Sequence, residues 1–490
     1  QTAPYPVVLR SFASVSSSAL VARRPLREFR AALTLSLLAA ILFLARLPCG
    51  LLEPEEARYA EIPREMLLTG RWLTPVWQGE NYLHKPPLLY WLIMLSYTLF
   101  GVHDWAARLV PALAGVATVL VTYSWARPVL GRRRAWAGAL VLLLTARFVY
   151  LQGMIVFDGL LCLWATLSLA LGHIALRGRF TWRSWLGSAA ACALGIMTKG
   201  PVALALVAPP LLCLYFVSAA RRKLRPPDTT PRFRSLAASY AAALLLLAGP
   251  WFVYLAFEHP DAAADFFWLH HVRRFVDPID HAEPWWFFLP SLAVGTLPWG
   301  LFTLRRPARR SGAFWLAASW GLLFFSLSGC KRAVYVLPVL PPLAIALGAQ
   351  ACRTRWLFSA GYWTRRGWTL GAGTFLCLLA GTLFWLPAYH ARYGLREELA
   401  AALRDGPAIP LYAYPRSWDS ISFYVGQARE YGADQARRLR ADLQRETDAW
   451  LVLRRRDAET VLRDWPDSLA ITFQGDDRAN VLLARVRARP

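Results

Sequence analysis

The chain has 490 residues, 56% of them hydrophobic and only 18% charged, with a formal net charge of +24. That composition excludes intrinsic disorder, and it departs from soluble domains, in which about a quarter of residues are charged. The basic excess does not mark a nucleic-acid partner, because the cations lie in short clusters between long apolar runs, as in a polytopic membrane protein.

A spanning helix needs about 20 mostly apolar residues. Eleven runs are expected to cross: 31–47, 106–126, 135–151, 159–176, 184–198, 201–218, 236–257, 285–304, 312–328, 334–350 and 368–389. Residues 1–30 lack a signal-peptide cleavage pattern, so the first run reads as an uncleaved span behind a cytoplasmic segment. Segments 1–30, 127–134, 177–183, 221–234, 305–310 and 351–367 carry 26 Arg and Lys against two acids, Glu28 and Asp228. Cationic loops stay in the cytoplasm. Their surplus equals the whole net charge of +24, so the rest of the chain is neutral and the excess is a topology signal.

Leu88–Gly101 is apolar for only 14 residues, and counting it as a span would put the GRRR of 131–134 outside. It reads as a juxtamembrane helix within one long external loop, 48–105. The other external segments are then 152–158, 199–200, 258–284, 329–333 and 390–490. Segment 390–490 changes character, with 17 basic and 15 acidic residues. Its patterning predicts a small α/β domain, external by span parity: strands near 408–413, 449–454, 469–473 and 480–486, and helices near 419–424, 433–445 and 457–464. Nothing in it looks catalytic. The seven cysteines show no metal-ligand spacing and most sit inside apolar runs.

Ionisable groups at external span ends are functional candidates by default. In the first loop, Pro54 suits a helix start and Gly70 a stop, and the helical period puts Glu55, Arg58 and Tyr59 on one face. The bland alternative is an exposed helix whose Glu55, Arg58 and Glu61 pair with one another. Lysine is rare, four against 51 Arg, and Lys85, Lys199 and Lys331 all fall on the external side. A compact ammonium binds phosphate as a point charge, although chance placement of so few residues would look the same. Asp158 sits alone at an external boundary and needs a partner, either a cation from the first loop or a metal. His84, His270 and His271 offer ligands for a divalent metal, but in no recognised spacing, and interfacial histidines are the ordinary alternative. Trp285 and Trp286 read as an interfacial belt, whereas Arg273 and Arg274 join a set of external cations that asks for an anionic lipid ligand.

The run EEARYAEIPREMLLTGRWLTPVWQGENYLHKPPLLYWL, with GMIVFDG, MTKGPVAL, LHHVRRF, PWWFFLP and CKRAVYVLPVLPPLAIALG, resembles the bacterial aminoarabinose transferases that modify lipid A. More broadly it resembles the protein O-mannosyltransferase-like, C-type glycosyltransferases. The likeness covers about residues 31–350. It implies an inner-membrane enzyme that takes a sugar from a polyprenyl phosphate carrier on the periplasmic side and transfers it with inversion to lipid A or another envelope acceptor. The domains implied are a transmembrane glycosyltransferase unit, 31–389, and a periplasmic α/β domain, 390–490. By matched position, Glu55 and Asp158 are the two acids, with Glu56 as the alternative for the first. Arg58, Lys85, Arg274 and Tyr335 match carrier-phosphate positions, and Lys199 and Lys331 match the motifs with less defined roles. The family's first acid is usually Asp, so Glu55 is one methylene longer, and His84 replaces an acid often found before Lys-Pro-Pro. Cys49 and Cys330 are candidates for a disulfide in an oxidising periplasm. The competing classes are a lipid-linked-sugar transporter, which internal repeats and midplane binding groups would favour, and a catalytically silent member whose outer domain binds an envelope partner.

Overall fold

The computed structural model of the chain describes residues 13–177, 180–222, 231–277, 281–359, 362–396, 399–400, 409–415, 418–426, 428–474 and 481–489. Of the cationic segments, 1–12 and 223–230, including Lys223 and Asp228, lie outside the described residues, as does 408 of the expected strand 408–413 and 480 of the expected strand 480–486.

Among the described residues five helices are long and apolar enough to cross a membrane: Asp104–Leu130, Phe157–Arg177, Val202–Ala220, Ala333–Ala351 and Arg365–Tyr393. Two bent pairs bring the number to seven if each pair is one span. In the first, Arg132–Leu143 meets Ala146–Gln152 at 63°. Thr145 bonds back to the Val141 carbonyl at 2.7 Å, and the Trp299 indole takes the Leu144 carbonyl at 3.2 Å, so the interrupted backbone is satisfied by side chains. In the second, Phe233–Leu247 meets Gly249–Glu258 at 52°, where Pro250 lacks the amide to continue the ladder. The run 285–304, expected as one span, is instead a short helix, Phe288–Gly295, and a 3-10 turn, Trp299–Leu304, separated at Pro298.

The long first loop folds onto the bundle. Its helix, Glu55–Thr69, starts after Pro54 and stops at Gly70, which adopts φ 68° where a side chain would be strained. A two-residue hairpin follows, Val76–Trp77 against Glu80–Asn81, and its turn amides Gln78 and Gly79 bond to the Glu65 carboxylate at 2.8 and 3.1 Å. Pro86 and Pro87 then set the start of Leu88–Phe100. At 13 residues it is ~20 Å long, too short to span about 30 Å of hydrocarbon. Tyr97 ties it to the loop helix through the Ala60 carbonyl at 2.9 Å.

The carboxyl-terminal part forms a mixed five-stranded sheet in the order Arg429–Glu430, Leu411–Tyr414, Asp448–Arg454, Val481–Ala488, Leu469–Gln474. Strand alternation divides its core: Tyr412, Tyr414, Leu451 and Leu453 pack on one face, and Leu411, Ala413, Trp450 and Val452 on the other. The helix Asp419–Val425 packs on the second face through Ile421 and also lies against the loop helix.

Candidate active site

Glu55, Arg58, Tyr59, Tyr82, His84, Lys85, Asp158, Lys199, His270, Arg274, Arg332 and Tyr335 line one cavity of about 380 Å³. Six segments supply them: the loop helix, the stretch before the juxtamembrane helix, the start of Phe157–Arg177, the end of Trp182–Lys199, and the two segments around Arg274 and Arg332. The lining holds five cations against two carboxylates.

Glu55 pairs with Arg332, and Asp158 accepts from Lys199 Nζ at 2.5 Å. The same ammonium sits 4.2 Å from the centre of the Tyr335 ring. Asp158 therefore finds its partner in Lys199 and not in a first-loop cation. Arg58 donates to Asp419 at 3.1 Å and lies 4.3 Å from the Trp77 ring centre, while Glu61 is held by Arg64 at 2.6 and 2.7 Å. None of the three pairs with another, which removes the self-paired exposed helix.

Lys85 makes no hydrogen bond or ion pair among the described residues. Burial, with Lys199 and Arg274 nearby, pushes its ammonium down to about 7. Arg274 follows a π-helical turn, Trp268–Arg273, whose wider spacing keeps Leu269 and Arg274, five residues apart, both on the cavity wall.

His84 and His270 meet as rings 4.5 Å apart, and burial, then Lys85, push both imidazoles down, His270 to about 3. Among the described residues no three His, Cys, Asp or Glu gather to hold a metal.

Three sequence expectations are corrected. Glu56, the alternative acid, does not line the cavity: its carboxylate is buried against Arg108 at 2.6 Å and Arg46 at 3.5 Å and accepts the Ile155 amide at 3.1 Å. Burial alone would raise this carboxyl, but the two guanidiniums override it and hold it at about 2. Lys331 turns away from the cavity and is buried, donating to the carbonyls of Ser328 at 2.5 Å and Glu283 at 2.8 Å. Cys49 and Cys330 are not joined by a disulfide. Cys49 lies beside Arg108, which donates to its carbonyl, whereas Cys330 faces the Tyr335 hydroxyl at 3.9 Å. Sequence reasoning missed Arg332 and Asp419. Arg332 was signalled by the external cation bias, but Asp419 carried no local sign.

A family model described as dolichyl-phosphate-mannose-protein mannosyltransferase matches residues 84–230. An undecaprenyl phosphate-α-4-amino-4-deoxy-L-arabinose arabinosyl transferase of Aeromonas hydrophila is 32% identical over 386 residues, 76% of this chain and 67% of its own length. The chain belongs to the aminoarabinose arabinosyl transferase family. A Pseudomonas fluorescens member is 36% identical over 323 residues, 63% of this chain but 55% of that protein, so the match spans little more than half of that relative. The crystal structure of ArnT from Cupriavidus metallidurans bound to undecaprenyl phosphate superposes with a TM-score of 0.71 at 21% identity, over 92% of this chain and 97% of that one. The fold is thus the ArnT-like C-type glycosyltransferase fold, with a helical, membrane-type architecture.

Proposed function

We propose that this family member is an inverting glycosyltransferase that moves 4-amino-4-deoxy-L-arabinose from a polyprenyl phosphate carrier to a phosphate of lipid A or a related envelope acceptor. The observation that carries the reading is the cavity's surplus of cations, five against two carboxylates that are paired with Lys199 and Arg332 and leave Lys85 outside any ion pair among the described residues. Such a site is built for an anion, and the relatives' names supply the carrier. In the reaction the bond from the anomeric carbon to the phosphate oxygen breaks while the acceptor oxygen bonds to the opposite face of that carbon. The departing polyprenyl phosphate gains negative charge, which Lys85, Arg58 and Arg274 stabilise in a partly dehydrated site. Tyr335, Lys199 and Tyr59 complete that lining.

A phosphate acceptor is already nucleophilic, so Glu55 and Asp158 orient it and stabilise the cationic sugar centre. A hydroxyl acceptor would require one of them as general base. The charge alternation of the loops supports eleven crossings of the inner membrane, with the amino terminus cytoplasmic and the cavity and the α/β domain periplasmic.

Mass spectrometry of lipid A tests the reading in a strain lacking this activity. The wild-type chain should add a pentosamine-sized mass, and Lys85→Ala or Asp158→Asn, inserted at wild-type levels, should not. Wild-type transfer by either variant would overturn the site assignment. An unchanged lipid A with the polyprenyl-linked donor present would move the acceptor to another envelope glycan or to protein.

A further inference from the structure

Arg58 lines the cavity, yet the group that holds it comes from the far end of the chain. Asp419 is buried at the start of the helix Asp419–Val425 and uses both carboxylate oxygens: Oδ2 accepts from Arg58 Nη2 at 3.1 Å, and Oδ1 accepts from Trp77 Nε1 at 2.7 Å. The Trp77 ring in turn carries the Arg58 guanidinium on its face. The carboxylate thus holds both the arginine and the aromatic plate beneath it, while Arg58 Nε is buried without a hydrogen-bond partner.

The other contacts of this helix run elsewhere. Ser420 bonds to Glu53, Tyr424 donates to Asp104 at 3.0 Å and accepts from the Leu51 amide at 3.1 Å, and the Ser422 carbonyl accepts from Arg64 at 3.1 Å. These contacts also dock the domain, and none of the partners Glu53, Asp104, Leu51 and Arg64 lines the cavity. Asp419 alone among these contacts reaches a cavity residue.

We propose that Asp419 is a positioning residue through which the α/β domain sets Arg58 for the carrier phosphate. The proposal rests on the cavity being the carrier-phosphate site. A long arginine side chain loses freedom when it binds, and a carboxylate with a stacking plate takes up that ordering before the ligand arrives. Charge alone gives the opposite sign, because removing an anion beside Arg58 would strengthen phosphate binding.

The test is binding of undecaprenyl phosphate to the purified full chain in detergent, read as Kd, for wild type, Asp419→Asn, Arg58→Ala and the double variant, with Ser420→Ala and Tyr424→Phe as docking controls. Asp419→Asn should weaken binding by about tenfold, the size found for outer partners of directly binding groups. In the Arg58→Ala background it should have no further effect, and the docking controls should bind within about twofold of wild type, since coupling is expected only between contacting groups. If Asp419→Asn does not fold, Trp77→Phe keeps the aromatic plate and removes the indole donor. It should show the same direction of loss and the same dependence on Arg58. Unchanged or tighter binding by Asp419→Asn, additive losses with Arg58→Ala, or an equal loss in the docking controls would overturn the proposal. A wild-type chain that does not bind undecaprenyl phosphate would instead overturn the site reading, and the positioning role with it.

Discussion

Glu55 and Glu56 are adjacent acids with opposite environments. One faces the cavity with Arg332, and the other is sealed in a pocket of two guanidiniums and two backbone amides. The buried one anchors the loop helix to Arg108 and to the turn before Asp158, which leaves its neighbour facing the cavity. Lys85 carries the sharpest prediction at this scale. Its ammonium is pushed down to about 7 by burial and then by its cationic neighbours. A bound phosphate would raise it again toward the ordinary lysine range, so binding takes up a proton wherever the empty site is deprotonated. Raising the pH above 7 should therefore weaken undecaprenyl phosphate binding, by at most about tenfold per pH unit. Calorimetry at pH 8 in buffers of different ionisation enthalpy should detect the uptake, and Lys85→Arg should abolish it. A binding enthalpy independent of buffer in wild type would show that Lys85 is already charged in the empty site.

At the scale of elements, the helices that carry the site end at its wall. Trp182–Lys199 delivers Lys199 with its last residue, Phe157–Arg177 delivers Asp158 with its second, and the 3-10 turn Ala333–Val339 delivers Tyr335. The bundle beneath is held by close backbone approach as much as by large side chains. A Cβ on Gly348 would meet the backbone of Gly138 at 2.4 Å, and one on Gly138 would meet Ile345 Cα at 2.8 Å, so Arg132–Leu143 and Leu340–Ala351 touch through glycine. Gly348→Ala should destabilise the protein by about 1–3 kcal/mol, the usual cost of overpacking. A thermal melt in detergent measures it, and an unchanged midpoint would mean that the two helices separate freely.

At the scale of the whole molecule, the long first loop is gripped from two sides, by the bundle below and by the α/β domain above. Arg108 and Arg46 hold Glu56 from the bundle, and Ser420, Tyr424 and Asp419 hold Glu53, Asp104 and Arg58 from the sheet domain. The cavity is thereby a product of closure of the entire chain. The proposed topology puts loop and sheet domain on one side of the membrane and the arginine clusters on the other. In a cysteine-free chain, Glu80→Cys and Arg456→Cys should react with an impermeant maleimide that has access to the periplasm. Arg133→Cys should react only after lysis. The reverse pattern would overturn the orientation.

Much of the local structure was legible because its signals are short-range. Gly70 ends the loop helix, Lys85-Pro86-Pro87 announces the short helix that follows, and the central strands of the carboxyl-terminal sheet are short apolar runs buried on both faces. The positions Glu55, Arg58, Lys85, Asp158, Lys199, Arg274 and Tyr335 stood out because charges near a membrane boundary are expensive. Which partner each one takes was not legible. Glu55 meets Arg332 across 277 residues, and Arg58 meets Asp419 across 361. No local propensity encodes such pairs, and an acid in a soluble-looking domain carries no sign of its target. The break at Leu144 and the inward turn of Lys331 likewise depend on distant groups, the Trp299 indole and the Glu283 carbonyl. Apolar periodicity and charge placement, which act over a few residues, are properties of the sequence by itself and determined the membrane character, the long first loop with its two helices and most of the charged candidates. The choice between Glu55 and Glu56, the exclusion of Lys331 and the entry of Asp419 were decided only by tertiary structure, because they depend on which surfaces meet when segments hundreds of residues apart close on one another.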